Sequence, residues 1–350
     1  MSDILDVTAV PAAPEGPSPL LAACLRVCQV SYQPLEFIAE AVHFLPAVDQ
    51  PGKWKVLWGP SESRFDANLA VVAGYYLDRR PGTPYVVVVG LRGTDVDVQN
   101  PVGVVYQIWE DMDAALQTEF HLTGGFIANG TSDALGTIQG LTDPTSGRTM
   151  SAFLIDFYNG LAAPRPPVVV TGHSLGGCLA TVVMPWLKSA LRQVTPAPEF
   201  SAYTFAAPTA GDQAFATGLA RQGVVVSVHN SLDVATFAWE DFGGMKSVYK
   251  TSGLPVPLYV ELAIDGFAEV LRLAGATYAQ PAQALRLPGK FDKTYGTSWA
   301  DQALFQHHTT TYAALLGLPA LDTPREAGSR RKRGAPGRGA VLAAQGAGGV

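Results

Sequence analysis

The apolar positions of this chain fall into two kinds of run. Pro84-Tyr85-Val86-Val87-Val88-Val89 and Pro166-Pro167-Val168-Val169-Val170 lack polar alternation, which predicts short strands buried on both faces. Phe200–Phe205 and Gly223–Val228 supply two more strands. Trp54–Trp58 and Leu69–Leu77 read as a further pair, and the polar Gly59–Asn68 stretch between them predicts an antiparallel hairpin. Helical spacing marks Leu20–Tyr32, expected to be a short amphipathic helix, and also Met150–Leu161, Leu175–Leu191 and Asp212–Gln222. Pro185 lies inside the third of these, where it removes a backbone hydrogen bond, so a kink is expected there. Strands alternating with helices predict an α/β fold: a mostly parallel central sheet with helices on both faces.

The same patterning divides the chain. Residues 1–19 are rich in Pro and Ala and read as a loose arm, and residues 20–321 hold the folded domain. Within it, Trp239–Gln302 is long and punctuated by Gly243-Gly244, Gly253-Leu254-Pro255 and Leu287-Pro288-Gly289. Its one clear helical pattern, Leu258–Leu273, sets Glu261, Asp265, Glu269 and Arg272 on one face and Val260, Ile264, Phe267 and Leu271 on the opposite one. The segment at about 239–302 is expected to form an inserted cap, with an outer helix packed on the sheet as the competing reading. A second segment that could cover a site, Val96–Ile108, is broken by Pro and Gly and offers little amphipathic helix. Residues 322–350 form a Gly/Ala/Arg tail with nothing to bury. Its Arg330-Arg331-Lys332-Arg333 reads as a solvated appendage, or more sharply as a weak anchor for anionic membrane surfaces.

Composition narrows the function classes. With 350 residues, 47% hydrophobic and 15% charged, the chain can bury a large core. The net charge of −6 divides into roughly −10 on the body and +4 on the tail, which holds six Lys/Arg against two acids. Such a body repels nucleic acid. Cys24, Cys28 and Cys178 cannot all pair within one chain and show no metal-ligand spacing, so no metal site is expected. Cys24 and Cys28 stand four apart on one helix face and read as small buried groups. No run of eighteen uncharged apolar residues is present, and Met1-Ser2-Asp3-Ile4-Leu5-Asp6 lacks the basic start of a secretory signal. The cytoplasm is the default compartment, with signal-independent export left open.

The chemistry centres on Thr171-Gly172-His173-Ser174-Leu175-Gly176-Gly177, between the Val168–Val170 strand and the following helix. Gly172-x-Ser174-x-Gly176 at a strand-to-helix turn is the nucleophile-elbow pattern. A serine on so sharp a turn needs neighbours without a Cβ, and the helix start aims free N–H groups at the reacting acyl group. In folds with this elbow the partners follow in the order serine, acid, histidine. His43 and His121 precede Ser174, His173 is tied to the turn, and His229 comes before any usable acid, which leaves His307 and His308. The acid belongs at the C-terminal edge of the parallel sheet, where Asp233 follows the last Val-rich strand. Asp212 reads instead as an exposed helix start. For the oxyanion, one donor is expected from the Leu175 backbone N–H and the other from Thr94, in Leu91-Arg92-Gly93-Thr94-Asp95 after the Val86–Val89 strand.

Together these motifs resemble the class 3 lipases, the α/β-hydrolase family that includes the fungal triacylglycerol lipases. Val168–Gly177 is similar to that family's strand and G-H-S-L-G-G elbow, and Leu91-Arg92-Gly93-Thr94 to its F-R-G-[ST] loop. Tyr203–Pro208 with Gly211 is similar to its T-F-G-x-P…G, and Asn230-Ser231-Leu232-Asp233 to its N-x-x-D. His307, five before Tyr312, fits the family's H-x4-Y ending, which His308 does not. Trp109-Glu110-Asp111 is one residue shorter than the family's W-x-x-D, and His121–Phe126 is two longer than its H-x-G-F. Leu91 and Ala206 stand where the family has Phe and Gly. The resemblance runs from about residue 20 to 318. It implies an α/β-hydrolase fold, hydrolysis of lipid or other acyl esters without a cofactor, transient contact with lipid surfaces, and a Ser174–His307–Asp233 triad. Phospholipids and short acyl or aromatic esters remain alternative substrates, and a catalytically silent binding module is the rival from another class.

Overall fold

The computed structural model describes residues 17–63, 68–93, 113–281 and 284–321. The arm before residue 17, the 322–350 tail, Thr94, Trp109–Asp111 and the 96–108 segment lie outside these. In chain order the elements are α1 (Pro19–Ser31), α2 (Leu35–His43), β1 (Gly52–Glu62), β2 (Leu69–Leu77), β3 (Val86–Leu91), β4 (Gln117–Glu119), β5 (Phe126–Ala128), α3 (Asn129–Gly140) and α4 (Met150–Asn159). They continue with β6 (Val168–His173), α5 (Leu175–Ala190), β7 (Phe200–Phe205), α6 (Gln213–Ala220), β8 (Val224–Asn230), α7 (Phe242–Ser247), α8 (Leu258–Ala274), β9 (Ala284–Leu287), α9 (Trp299–His307) and α10 (Thr309–Leu315).

Seven strands form one sheet in the order β1-β2-β3-β6-β7-β8-β9. The hairpin β1–β2 is antiparallel and continues antiparallel into β3. From β3 to β9 every pair is parallel, in a register that sets Val87 opposite Val168, Val168 opposite Phe200 and Phe205 opposite Val228. The unbroken valine runs reflect burial of both faces. Val86, Val88 and Val169 join a core with Leu21, Leu25 and Val27 of α1, Ile38 of α2 and Tyr312 of α10. Val87, Val89, Val168 and Val170 join the opposite core with Leu154 of α4, Cys178, Leu179 and Val182 of α5, and Ile264 of α8. This is an α/β-hydrolase-like sheet, and its parallel strands bring the ends of β3, β6 and β8 to one edge.

Three local features stand out. The first helix is not amphipathic: Leu20, Leu21, Cys24, Leu25, Val27, Cys28 and Val30 are buried, and so are Arg26, Gln29 and Ser31. It lies between the sheet and α10, and Arg26 is satisfied inside by Gln29 Oε1 at 2.7 Å and by the Pro319 carbonyl. Second, α5 forms over Leu175–Ala190 as the pattern predicts and runs through Pro185, its buried Val182, Val183, Met184 and Leu187 outweighing the lost hydrogen bond. Third, the 239–302 stretch contributes β9, which pairs in parallel with β8 at the sheet edge, as well as α7 and the start of α9. On α8, Val260, Ile264 and Leu271 are buried as the pattern predicts, while Phe267 is half-buried against the Trp239 ring, centroids 6.2 Å apart.

Candidate active site

The elbow is built by close approach of backbone to backbone. A Cβ on Gly172 would meet the Gly176 carbonyl oxygen at 2.1 Å, and one on Gly176 would meet the Leu91 carbonyl oxygen at 2.4 Å and Gly93 N at 2.8 Å. Glycines at these two positions therefore let the strand, the helix start and the Leu91–Gly93 loop stack on one another. Between them Ser174 takes φ 58° and ψ −130°, a left-handed-side conformation that costs a non-glycine residue about 1–3 kcal/mol. The turn is held by Ser174 N donating to Phe205 O at 2.9 Å, and by Gly177 N and Cys178 N donating to Ser174 O at 2.9 and 3.1 Å. Leu175 and Gly176 open α5 directly after the serine, so their N–H groups have no intrahelical acceptor. The Leu91–Gly93 loop reaches this helix start, and Thr94 is the first residue beyond it.

The histidine and the acid arrive from elements that sequence distance separates. Asp233 follows β8 after a turn in which Asn230 Oδ1 accepts from Leu232 N at 3.1 Å and Asp233 N donates to Asn230 O at 3.0 Å. The turn is pinned to α9, because Asn230 Nδ2 donates to both Gln306 O and Gln306 Oε1 at 2.8 Å. His307 ends α9, whose start is fixed by a Ser298–Asp301 capping box. Its Nε2 lies 2.9 Å from Ser174 Oγ, and its Nδ1 lies 3.1 and 3.0 Å from the two Asp233 oxygens. Asp233 is fully buried and Ser174 nearly so. His308 turns the other way and caps α10, its Nδ1 accepting from Thr310 N at 3.2 Å. The geometry thus separates two histidines that spacing leaves open.

A third group completes the acid's surroundings. Tyr312 Oη donates to Asp233 Oδ2 at 2.7 Å and itself accepts from Asn230 N at 3.0 Å, while Ala235 N donates to Asp233 Oδ1 at 3.0 Å. Burial first, and then the Asp233 charge, push the Tyr312 phenol well above its usual range, so it stays a donor. Sequence reasoning used Tyr312 only to fix the spacing of His307. The signal was that spacing itself: His307 ends α9 and Tyr312 lies in α10, four residues separate them, and both side chains meet Asp233. Tyr32 and His173, which also contact this site, left no such signal. Among the described residues, no three His, Cys, Asp or Glu side chains converge to hold a metal ion.

Residues 88–240 match the family model Lipase (class 3), a stretch that contains the elbow and Asp233. Among solved structures the chain is similar to M37 lipase, with 23% identity, a TM-score of 0.69, and coverage of 86% of this chain and 92% of that one. It is also similar to a fungal lipase at 15% identity and a TM-score of 0.50, covering 86% and 91%. A Rhizomucor miehei lipase propeptide complex matches at 19% identity and a TM-score of 0.46, covering 68% and 70%. No curated protein sequence matches the chain. The segment that matches the class 3 lipase model thus holds both the elbow and Asp233, and the seven-stranded sheet places both at one edge.

Proposed function

We propose that this protein hydrolyses acyl esters of lipids or related compounds, with Ser174 as nucleophile, His307 as general base and Asp233 as the group that orients it. The observation that carries the reading is the continuous hydrogen-bond path from Ser174 Oγ through both ring nitrogens of His307 to a buried carboxylate. Ser174 Oγ attacks the ester carbonyl carbon while His307 Nε2 takes its proton. Asp233 keeps the remaining proton on Nδ1, so Nε2 is the free base, and it stabilises the imidazolium that forms. The oxyanion is met by the Leu175 N–H and by Thr94, through its N–H or its hydroxyl. Collapse breaks the ester C–O bond, and His307 returns the proton to the departing alkoxide. Water, activated by the same nitrogen, then attacks the acyl-Ser174 carbonyl and releases the acid with the serine restored. No step calls for a cofactor.

Substrate class is tested with a panel of p-nitrophenyl esters of rising acyl length, emulsified triacylglycerol and phosphatidylcholine, with acid release followed by titration. Hydrolysis of at least one lipid acyl ester, abolished in Ser174→Ala, is expected. A wild type silent on every ester, or Ser174→Ala at the wild-type rate, would overturn the reading.

A further inference from the structure

The elbow histidine does not end in the turn. His173 Nε2 lies 2.7 Å from the main-chain carbonyl oxygen of His307, and its Nδ1 lies 3.0 Å from the hydroxyl of Tyr32, at the end of α1. The carbonyl can only accept, so the proton between Nε2 and that oxygen sits on Nε2. In a neutral ring Nδ1 is then an acceptor, and it faces the Tyr32 hydroxyl, whose proton is in reach of Nδ1 at 3.0 Å and of the His173 carbonyl oxygen at 3.3 Å. The His307 carbonyl therefore fixes the tautomer, and the Tyr32 hydroxyl complements it on the other side of the ring. Burial first, and then the proximity of His307, depress the basicity of His173 well below the ordinary imidazole range, which agrees with a neutral ring.

The carbonyl that His173 holds is one the fold would otherwise leave unsatisfied. His307 is the last residue of α9, and the final carbonyls of a helix have no intrahelical donor. The two rings face each other with centroids 4.8 Å apart at 46°, and Tyr312 packs edge-on to His173 with centroids 6.0 Å apart. The Tyr32 hydroxyl stands where a Cβ on Gly93 would meet it at 2.7 Å, so the same phenol borders the loop after β3. Resting on the assignment of His307 as base, we infer that His173, held by Tyr32, is a positioning residue for the reaction: its ring N–H clamps the main chain of His307 so that Nε2 stays aligned on Ser174. Asp233 fixes the rotation of the imidazole, and His173 fixes where its backbone sits. A neutral ring suits this task, because a second cation at this distance would oppose the imidazolium formed at His307.

The test compares side chains that keep or lose the donor. In His173→Gln the amide nitrogen reaches close to the place of Nε2, whereas in His173→Asn it falls one bond short; His173→Leu has none. Rates are expressed per active site counted with a fluorophosphonate, so unfolded protein does not enter. His173→Asn and His173→Leu should lower kcat by about 10- to 100-fold with KM within about twofold, the cost of a base displaced by about an ångström. His173→Gln should recover most of that loss. Tyr32→Phe should lower kcat less than His173→Asn, and nitrogen NMR of the wild type should show His173 protonated on Nε2. Equal kcat in Asn and Gln variants, or a wild-type His173 protonated on Nδ1, would overturn the inference. A wild type that takes no fluorophosphonate, or takes it equally in Ser174→Ala, would instead sink the underlying assignment and this inference with it.

Discussion

At the scale of single residues, the site concentrates its polar groups where water is excluded, so each has a definite task. Replacing Ser174 or His307 by Ala, or Asp233 by Asn, should lower kcat by roughly 10³–10⁶ in a protein that stays folded. His308→Ala should leave kcat within a few-fold of wild type, because His308 caps α10 through Thr310 and does not reach Ser174. An active His307→Ala beside an inactive His308→Ala would reverse the assignment. Tyr312→Phe removes one donor from a fully buried carboxylate, and an unmet buried acceptor costs about 1–3 kcal/mol. A lowered urea midpoint together with a several-fold fall in kcat is expected, and an unchanged midpoint would mean that water or another donor replaces the phenol.

At the scale of elements, α8 is where shape rather than chemistry is at stake. Its Phe267 packs on Trp239, six residues after Asp233, and Trp239 also faces Tyr278, whose hydroxyl donates to Ala114 O at 2.6 Å. If this cluster belongs to a cap over the acyl channel, Phe267→Ala should shift the preferred acyl length on an ester series. Loss of stability with an unchanged length profile would make α8 a core helix only. Legibility followed the same division. Strands β3, β6, β7 and β8 were readable because burial on both faces leaves unbroken apolar runs, and the elbow because two glycines and a serine meet there. Strand β9 was not, because Ala284–Leu287 is a four-residue edge strand with only Leu287 buried, too short and too exposed to leave a pattern. Nor was the burial of α1, since Arg26 and Gln29 look like solvent-facing positions until Pro319 closes over them. His173 and Tyr32 meet across 141 residues, so no local spacing can announce the pair.

At the scale of the whole molecule, buried neutral imidazoles tie stability to pH. Burial depresses His229 from 6.5 to about 4, partly offset by Asp233 and reinforced by Arg286, and His173 is depressed as well. The unfolded chain therefore takes up these protons more readily than the folded one. The stabilisation is complete above about pH 6.5 and is lost as pH falls toward 4. At pH 5 the loss from His229 alone is about 2 kcal/mol. His229→Gln should accordingly lose less stability than wild type between pH 7 and pH 5 in urea titrations, whatever its stability at pH 7. Parallel pH slopes for the two proteins would contradict this. No helix among the described residues is long and apolar enough to cross a membrane.

The central claim is a covalent acyl intermediate on Ser174, and it is most directly tested by trapping one. Wild-type protein mixed with an excess of a hydrolysable ester, quenched in acid within the first turnovers and mapped by peptide mass spectrometry, should carry one acyl group, on the peptide containing Ser174. Asp233→Asn should accumulate it more slowly, and Ser174→Ala should carry none. Ester hydrolysis that proceeds with no acylated peptide, or with the acyl group on another residue, would contradict the account.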